Sequence, residues 1–313
     1  MDISVKIAGV PFKNPVTVAS GTFGHAEKYF NLEEVKRLGA IVPKTVTLTA
    51  QEGNPPVRIF ETPSGMINAI GIENPGIDGF IQTKLSGFQK IGVPLIISIL
   101  GHTPDQFAQI IERLNKHCHP EGGRRPTEGS GIAAIELNLS CPNLGHKTLV
   151  AQDPQATETL VKKLKALSKF PIIAKLSPNV TDISEIAQAA EAGGADAVSL
   201  INTFTAMAID IKTRRSRIGN FTGGLSGPAI RPIAVAMVHK VYQSVKIPIV
   251  GMGGIASAQD ALEFMIAGAS MVAVGTMNFV NPRAPVDVLE GIEAYMKQQK
   301  ISNIKDLIGS LQK

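Results

Sequence analysis

Cys141 combines a reactive side chain with a local sequence that favours chemistry. It lies in the segment Asn138-Leu-Ser-Cys-Pro-Asn143, where Pro142 removes a backbone donor and favours a sharp turn directly after an apolar run. Most lone cysteines are buried apolar side chains, so a packing role is the simpler alternative. The flanking asparagines can hydrogen-bond a planar polar ligand, and a thiol loses its proton not far from neutral pH. We therefore interpret Cys141 as a candidate general base.

Asparagines recur where predicted buried strands end. The four positions are Asn68, Asn138, Asn143 and Asn202. An amide side chain offers both donors and an acceptor without net charge, which suits a small heterocycle with alternating N–H and C=O groups. Each asparagine alone could be a turn residue. Four of them in equivalent places are better explained by a polar substrate.

Lys44 and Lys175 each follow an apolar run, at the end of a predicted strand. A charged lysine in such a place is costly unless it meets an anion or an electron-rich ring. The alternative for either residue is a structural ion pair. A phosphorylated cofactor that gains negative charge on reduction, such as a flavin, would satisfy both lysines.

Two glycine-containing loops, Gly251-Met-Gly-Gly254 and Gly275-Thr276, follow the last two predicted strands. Glycine lets the backbone approach a phosphate closely, and the threonine hydroxyl can donate a further hydrogen bond. The alternative is that both loops are only tight turns. The letters Gly251-x-Gly253-x-x-Ala256 also match a dinucleotide-binding fingerprint, but the next strand, Met271–Val274, carries no acidic residue at its end. The pattern predicts a phosphate site and no NAD site.

The composition excludes several other classes of protein. The two cysteines, Cys118 and Cys141, are too few for a disulfide framework or a four-cysteine cluster. His117 and His119 flank Cys118 but cannot easily converge on one ion, so we predict no metal site. The net charge of +5 is dispersed, which argues against nucleic acid as a partner. With 44% hydrophobic residues, no membrane-spanning apolar run and no signal-peptide pattern, we expect a folded cytoplasmic protein.

Short apolar runs alternate with segments of helical periodicity along the chain. Eight runs are typical of buried strands: Pro15–Ser20, Ala40–Leu48, Pro94–Leu100, Ala133–Leu139, Pro171–Leu176, Asp196–Ile201, Ile247–Val250 and Met271–Val274. The clearest helical segments are Asp105–Asn115, Ala156–Leu167, Asp182–Glu191 and Ala258–Ile266. Alternating strands and helices predict an α/β fold, a (β/α)8 TIM barrel that forms a single domain over residues 1–313. Long loops then lie at the C-terminal face of the barrel, where such folds carry their active sites.

Several motifs together carry a resemblance to a known family. They are Ala19-Ser-Gly-Thr22, Lys44, Asn68-Ala-Ile-Gly71, Asn74-Pro-Gly76, Asn138-Leu-Ser-Cys-Pro-Asn143, Lys175-Leu-Ser-Pro-Asn179, Ile201-Asn-Thr203, Gly223-Gly-Leu-Ser-Gly227, Gly251-Met-Gly-Gly254 and Gly275-Thr276. With them the chain resembles, from end to end, the class 1 dihydroorotate dehydrogenases, which are FMN enzymes of pyrimidine biosynthesis. Cys141, in the motif Asn138-Leu-Ser-Cys-Pro-Asn143, is typical of class 1, because class 2 enzymes have a serine at that position. The segment from Glu61 to Gly71 is more similar to the class 1B branch than to the fumarate-using class 1A branch.

The resemblance implies roles for particular residues. FMN would contact Ser20, Lys44, Thr45, Asn138, Lys175, Ile201, Gly227, Gly253, Gly254, Gly275 and Thr276. Dihydroorotate would contact Lys44, Asn68, Ala69, Ile70, Gly71, Ile72, Asn138, Asn143, Asn202 and Thr203. Cys141 would remove the C5 proton while a hydride passes from C6 to flavin N5, and Lys175 would stabilise the charge gained by the flavin. Two features depart from the family pattern: Ser98 stands where an asparagine is usual, and an insertion occupies residues 118–131.

The resemblance to class 1B also implies partners. Enzymes of that branch contain a homodimer of such chains with an electron-transfer subunit, which carries FAD and an iron–sulfur cluster and passes electrons to NAD. This chain has neither a cluster motif nor an NAD motif, which is consistent with such a partner. Two alternatives stay open. One is another FMN barrel of pyrimidine chemistry, such as a dihydropyrimidine dehydrogenase or a tRNA dihydrouridine synthase, and the other is a non-catalytic phosphate-binding barrel.

Overall fold

The computed structural model describes residues 1–24, 30–117, 131–140 and 150–312. Cys118, Cys141, Asn143 and all but the last residue of the predicted insertion lie outside these ranges. Among the helices inside them, none combines the length and the apolar character needed to span a bilayer. The prediction of a single domain over residues 1–313 stays a prediction.

Parallel strands form the central sheet. In chain order, the strands of the described residues are β1 (Val5–Ile7), β2 (Val10–Phe12), β3 (Val16–Val18), β4 (Ile59–Thr62), β5 (Gly65–Asn68), β6 (Leu95–Ile99), β7 (Ile132–Asn138), β8 (Ile172–Lys175), β9 (Ala197–Leu200), β10 (Phe204–Ala206), β11 (Ile209–Asp210), β12 (Arg215–Ser216), β13 (Gly223–Ser226), β14 (Ile249–Met252) and β15 (Met271–Val274). Seven of them pair in parallel in the order β3-β15-β14-β9-β8-β7-β6. Seven of the eight predicted strands are thereby confirmed.

Residues 39–46 close the barrel without forming a regular strand. The backbone N–H of Gly39 donates to Val16 O on β3 at 2.9 Å. On its other side, the segment forms two isolated parallel bridges with β6. It therefore hydrogen-bonds to both edges of the seven-stranded sheet. The predicted (β/α)8 barrel is confirmed.

The prediction of a regular strand over Ala40–Leu48 is wrong. The bridges of this segment, at Ile41 and Val46, are separated by an interruption that contains Pro43. Proline has no backbone N–H and cannot continue a hydrogen-bonded ladder. Lys44 lies in the same interruption, where its side chain lines the cavity at the end of the barrel.

Helices follow the barrel strands and cover the sheet. The α-helices of the described residues are α1 (Leu32–Val35), α2 (Gly76–Phe80), α3 (Ser86–Lys90), α4 (Pro104–His117), α5 (Pro154–Leu167), α6 (Ile183–Ala192), α7 (Arg231–Tyr242), α8 (Ala258–Ala267) and α9 (Ala284–Gln298). A π-helical turn, Ile81–Leu85, joins α2 to α3. Ser257 and Asp260 form a reciprocal capping box at the start of α8. The four predicted helices are confirmed as α4, α5, α6 and α8.

The barrel strands are buried on both faces. Every residue of β7 is buried, because one face meets the helices and the other fills the barrel interior. This double burial explains why the strands are continuous apolar runs in the sequence. The polar residues before the last position of these strands, Thr17, Ser98, Glu136 and Ser199, are all buried and hydrogen-bonded.

A second, antiparallel sheet lies over the C-terminal end of the barrel. Its order is β10-β13-β5-β4. Strands β4 and β5 come from the long loop after residues 39–46, and β10 and β13 come from the long loop after β9. Asn68 of β5 is opposite Gly224 of β13. The pairing therefore brings residues 68–72 and residues 202–203 to the same end of the barrel.

Candidate active site

One cavity of about 830 Å³ lies at the carboxyl ends of the barrel strands. All eleven residues predicted to contact a flavin line it: Ser20, Lys44, Thr45, Asn138, Lys175, Ile201, Gly227, Gly253, Gly254, Gly275 and Thr276. The residues predicted to contact the substrate that also line it are Asn68, Ile70, Gly71, Ile72, Asn202 and Thr203. Residues from seven separate loops thus meet in one place, which only the closed barrel makes possible.

Ala69 is an exception to the predicted substrate contacts. It is buried but is not part of the cavity lining. Its side chain packs in a small apolar cluster with Ile67 and Ile218. Side chains alternate between the two faces of extended backbone, so Ala69 points away from the face that Asn68 and Ile70 present to the cavity. The predicted contact between Ala69 and the substrate stays a prediction.

The loop after β14 has a backbone that requires glycine. Gly253 has φ +134°, and a Cβ atom there would lie 2.8 Å from the Ala234 Cβ. Gly254 has φ +78°, and a Cβ atom would lie 2.7 Å from the carbonyl oxygen of Gly227. The loop therefore presents bare backbone to the cavity, as the predicted phosphate site requires.

The loop after β15 adds hydroxyl groups beside this backbone. Thr276 Oγ1 donates a hydrogen bond to Ser226 Oγ at 2.8 Å, and both residues line the cavity. Thr276 begins a short 3₁₀ helix that ends at Phe279. The two glycine loops and the end of β13 thus surround one part of the cavity with donors that can reach an anion.

The two lysines approach the cavity from different sides, Lys175 from β8 and Lys44 from the segment 39–46. Lys175 is the last residue of β8, is 5% exposed, and its Nζ donates to Ser20 Oγ at 3.1 Å. Lys44 is half-buried. Burial and, after it, the positive charge of Lys175 hold the pKa of Lys44 below its usual value, against the opposing charge of Glu73. Two ammonium groups in one cavity repel each other, and this favours an anionic or electron-rich ligand.

Amide side chains form the polar part of the cavity. Asn202 Nδ2 donates to Ser140 Oγ at 2.8 Å and to Asn138 Oδ1 at 3.3 Å. Asn68 Nδ2 donates to Gly224 O at 3.1 Å. Asn202 Oδ1 accepts from Thr203 N at 2.8 Å. The asparagines at the ends of β5, β7 and β9 therefore line one cavity, and Asn138 and Asn202 also orient each other.

Two further asparagines hold the loops that carry the site. Asn74 Oδ1 accepts from Thr47 N and Gly76 N, and Asn74 Nδ2 donates to Ile72 O. Asn179 Nδ2 donates to Thr203 O at 3.0 Å. Asn74 and Asn179 both belong to motifs of the family resemblance, but the sequence alone assigned neither a role. The structure shows that they brace the loops on which Ile72 and Thr203 lie.

Ser98 supports the cavity from behind. Its Oγ lies 3.0 Å from Thr45 Oγ1, and it is 1% exposed and not part of the lining. Thr45 does line the cavity. Ser98 therefore uses its hydroxyl to hydrogen-bond Thr45, a residue of the cavity lining.

Glu136 is the residue that the sequence analysis missed. It lies in the middle of β7, is 4% exposed, and its Oε1 is 3.9 Å from Lys175 Nζ. The signal was present in the sequence as an acidic residue inside the apolar run Ala133–Leu139. A buried carboxylate needs a partner, and the lysine that ends the next strand is one.

Cys141 and Asn143 lie outside the described residues. In the chain, Cys141 directly follows Ser140, which lines the cavity and accepts the Asn202 hydrogen bond. Among the described residues, no group of three or more His, Cys, Asp or Glu is placed to hold a metal ion. The roles assigned to the site residues stay predictions.

The fold and the cavity define a (β/α)8 barrel with two glycine loops, two lysines and a group of amides at the carboxyl ends of its strands. The family model described as dihydroorotate dehydrogenase matches residues 2–296. The chain belongs to the dihydroorotate dehydrogenase family.

Curated relatives extend the similarity over nearly the whole chain. It is 49% identical over 310 residues to a protein of Lachnoclostridium phytofermentans, covering 99% of both chains. It is 48% identical over 308 residues to a protein of Desulforudis audaxviator, covering 98% of this chain and 96% of the relative. It is 45% identical over 311 residues to a protein of Geotalea uraniireducens, covering 99% of this chain and 98% of the relative. Each relative is named dihydroorotate dehydrogenase B (NAD(+)), catalytic subunit, and the predicted resemblance to class 1B is confirmed.

Proposed function

We propose that this chain is a catalytic subunit that oxidises dihydroorotate to orotate with FMN in pyrimidine biosynthesis, and that the electrons pass to NAD through a partner subunit. The observation that carries the proposal is the meeting of two lysines, two glycine loops and three asparagines in one cavity. Family membership and relatives of 45–49% identity support the same reaction.

The residues at the strand ends fit FMN. Gly253 and Gly254 leave space for a phosphate, which any larger residue would fill. The hydrogen-bonded hydroxyls of Thr276 and Ser226 lie beside this space. Lys175 is buried at the base of the cavity, where an ammonium group favours a ring that gains negative charge. When bound, FMN supplies the acceptor for the hydride that leaves the substrate.

The remaining lining residues fit dihydroorotate. The substrate has a carboxylate and a ring of alternating amide N–H and C=O groups. Lys44 Nζ has no hydrogen bond to another described residue, so its ammonium group is available for the carboxylate. Asn68, Asn138 and Asn202 offer amide donors and acceptors for the ring.

Cys141 is proposed as the base that removes the proton from C5 of the substrate. The thiolate would take the proton while the C6–H bond breaks, which leaves the C5–C6 double bond of orotate. Asn202 orients the chain directly before this residue through its hydrogen bond to Ser140. That bond gives Asn202 a positioning role as well as a binding role.

The proposed partner carries FAD and an iron–sulfur cluster. The relatives are named as NAD(+)-linked catalytic subunits, which supports a second subunit for electron transfer. This chain has two cysteines, too few for a four-cysteine cluster of its own. We also propose that the chain forms a homodimer. A cytoplasmic location stays a prediction.

A spectroscopic experiment tests the proposal. The purified protein, reconstituted with FMN where needed, should have a flavin absorption spectrum that bleaches under anaerobic conditions when dihydroorotate is added. Dihydrouracil, which lacks the carboxylate, is the matched control and should bleach it far more slowly. Protein that cannot bind FMN would contradict the proposed cofactor, and equal bleaching by dihydrouracil would favour a different pyrimidine reductase.

A further inference from the structure

A charged side chain lies inside the barrel below the cavity. Glu136 belongs to β7, in which every residue is buried. It is 4% exposed and is not part of the cavity lining. Ionised carboxylates are rarely buried without partners, because removal from water is costly. The partners of Glu136 therefore indicate what the group does.

The two carboxylate oxygens have different surroundings. Oε2 accepts a hydrogen bond from Ser199 Oγ on β9 at 2.8 Å. Oε1 is fully buried and has no hydrogen-bond partner among the described residues. The charged group next to Oε1 is Lys175 Nζ, at 3.9 Å. One oxygen is thus anchored by a hydroxyl, and the other is directed at the ammonium group without touching it.

The strand register explains this arrangement. Asn138 of β7 is opposite Lys175 of β8, and both line the cavity. Glu136 is two residues earlier on β7, so it faces the same side one level deeper in the barrel. Lys175 Nζ therefore lies between the cavity and Glu136, and its hydrogen bond to Ser20 Oγ, in the loop after β3, helps to hold it there.

The charges that face Lys175 are few. Glu136 faces it from β7, and Lys44 affects it from the segment 39–46. Ser20, after β3, and Ser199, on β9, are neutral. Without Glu136, the bottom of the cavity would contain two lysines and no anion among these groups. Glu73 also lines the cavity, where it opposes the charge of Lys44. The Glu136 carboxylate adds a negative charge 3.9 Å from Lys175 Nζ and so lowers the positive field that a ligand in the cavity meets.

We propose that Glu136 is a positioning residue that holds the Lys175 ammonium group in place and lowers the positive field on the cofactor. The inference rests on the proposed function, since it concerns FMN bound in this cavity. A positive charge near a flavin favours its reduced form, and a nearby anion weakens that effect. Glu136 would therefore keep the bound flavin a weaker oxidant, so that the reduced cofactor passes its electrons on more readily.

Glu136→Gln tests the proposal because it removes the charge and keeps the shape and one acceptor for Ser199. With Lys175 still protonated, the reduction equilibrium of bound FMN should favour the reduced form by about tenfold, a potential about 30 mV higher for a two-electron couple. The potential is measured at several pH values. The potential of the variant should exceed that of the wild type at each pH.

Asp196→Asn is the matched control. Asp196 pairs with Lys165 and lies just before β9, at the opposite end of the barrel from the cavity. Its replacement should lower the melting temperature and leave the flavin potential unchanged. Glu136→Gln with an altered melting temperature but the wild-type potential at every pH would overturn the proposal, because a purely structural carboxylate predicts that result.

Ser199→Ala provides a second variant if Glu136→Gln does not fold. It removes the donor to Oε2, so the carboxylate is held less firmly beside Lys175 and the potential should rise, by a smaller amount than in Glu136→Gln. An unchanged potential in this variant would also count against the proposal. Failure of the wild type to bind FMN would instead contradict the proposed function, so the two failures are distinguishable.

Discussion

Asn202 Nδ2 donates a hydrogen bond to Ser140 Oγ at 2.8 Å, which ties the end of β9 to the residue that directly precedes Cys141. The same amide nitrogen lies 3.3 Å from Asn138 Oδ1 at the end of β7. One side chain therefore connects two strand ends that carry the proposed base and the proposed substrate site. A residue with this double connection should affect both binding and the chemical step.

Asn202→Ala should raise the KM for dihydroorotate and also lower kcat. Loss of the substrate contact should cost about tenfold in KM, the usual worth of a hydrogen bond of about 1–1.5 kcal/mol. Loss of the Ser140 bond should reduce kcat, because the chain before Cys141 is no longer held. Steady-state kinetics with an artificial acceptor measures both values. Ser140→Ala is the matched control, and it should lower kcat with little change in KM.

Cys141→Ala should still bind FMN and orotate, because the lysines and asparagines that hold them remain. Reduction of the flavin by dihydroorotate should slow by about 10²–10⁴-fold, the usual contribution of a positioned general base. Cys141→Ser should recover part of the rate only at higher pH, since a hydroxyl loses its proton far less readily than a thiol. Anaerobic stopped-flow measurements across pH distinguish these proteins. A Cys141→Ala protein reduced at the wild-type rate would rule out the base.

Gly253→Val should yield colourless protein. The new Cβ would lie 2.8 Å from the Ala234 Cβ at a backbone angle of φ +134°, so the loop must move out of the phosphate position. The absorption spectrum after reconstitution measures the loss of FMN. Gly9→Val is the matched control: Gly9 also has positive φ, at +80°, but its Cβ would meet nothing within 4 Å. That variant should keep its flavin, and a yellow Gly253→Val protein would disprove the placement of the phosphate.

The lowered pKa of Lys44 predicts how ligand binding depends on pH. A lysine is positively charged below its pKa, so orotate should bind fully near neutral pH and more weakly as the pH rises through the lowered value. The loss should be about tenfold or more, as expected for a buried charge pair. Titration of the flavin spectrum with orotate measures it. Lys44→Met should bind weakly at every pH, while Lys163→Met, which changes an exposed lysine on α5, should behave like the wild type.

The same group should affect folding stability in the alkaline range. Between its lowered folded pKa and the value in the unfolded chain, Lys44 binds fewer protons when folded. The free energy of unfolding attributable to Lys44 therefore rises with pH across that window. Denaturant unfolding of the apoprotein compares the wild type with Lys44→Met. A wild-type curve parallel to that of the variant from neutral pH to about pH 10.4, the usual pKa of lysine, would contradict the shift.

The isolated chain should oxidise dihydroorotate with artificial acceptors but reduce NAD poorly. The apparent fingerprint at Gly251–Ala256 is followed by a strand without an acidic end, and the chain cannot hold a four-cysteine cluster. Assays with a dye, NAD and fumarate as acceptors test this. Rapid NAD reduction by the chain alone would contradict the need for a partner, and rapid turnover with fumarate would indicate class 1A behaviour.

The sequence by itself determined the barrel strands and most of the site. Strands that are buried on both faces form nearly continuous apolar runs, so the sequence alone predicted all seven strands of the parallel sheet. Residues at the carboxyl ends of parallel strands converge in a barrel, so lysines, asparagines and glycines at those places predicted one common cavity. Thr45, Ile201 and Gly227 were predicted as FMN contacts only through the family resemblance, because nothing in their side chains by itself indicates a flavin site.

Only the tertiary structure decided how these groups contact one another. Residues 39–42 are an apolar run, but Pro43 interrupts the segment. Its bridges to β6 therefore depend on the neighbouring strand and not on local propensity. Ala69 was assigned to the substrate by its motif, yet the direction of its side chain depends on the pairing of β5 with β13. The 3.9 Å approach of Glu136 to Lys175 joins residues 39 positions apart in the chain, and it depends on the register between β7 and β8. Local sequence specifies which side of a strand is buried, but contacts across strands depend on register, which is set by the packing of the whole barrel.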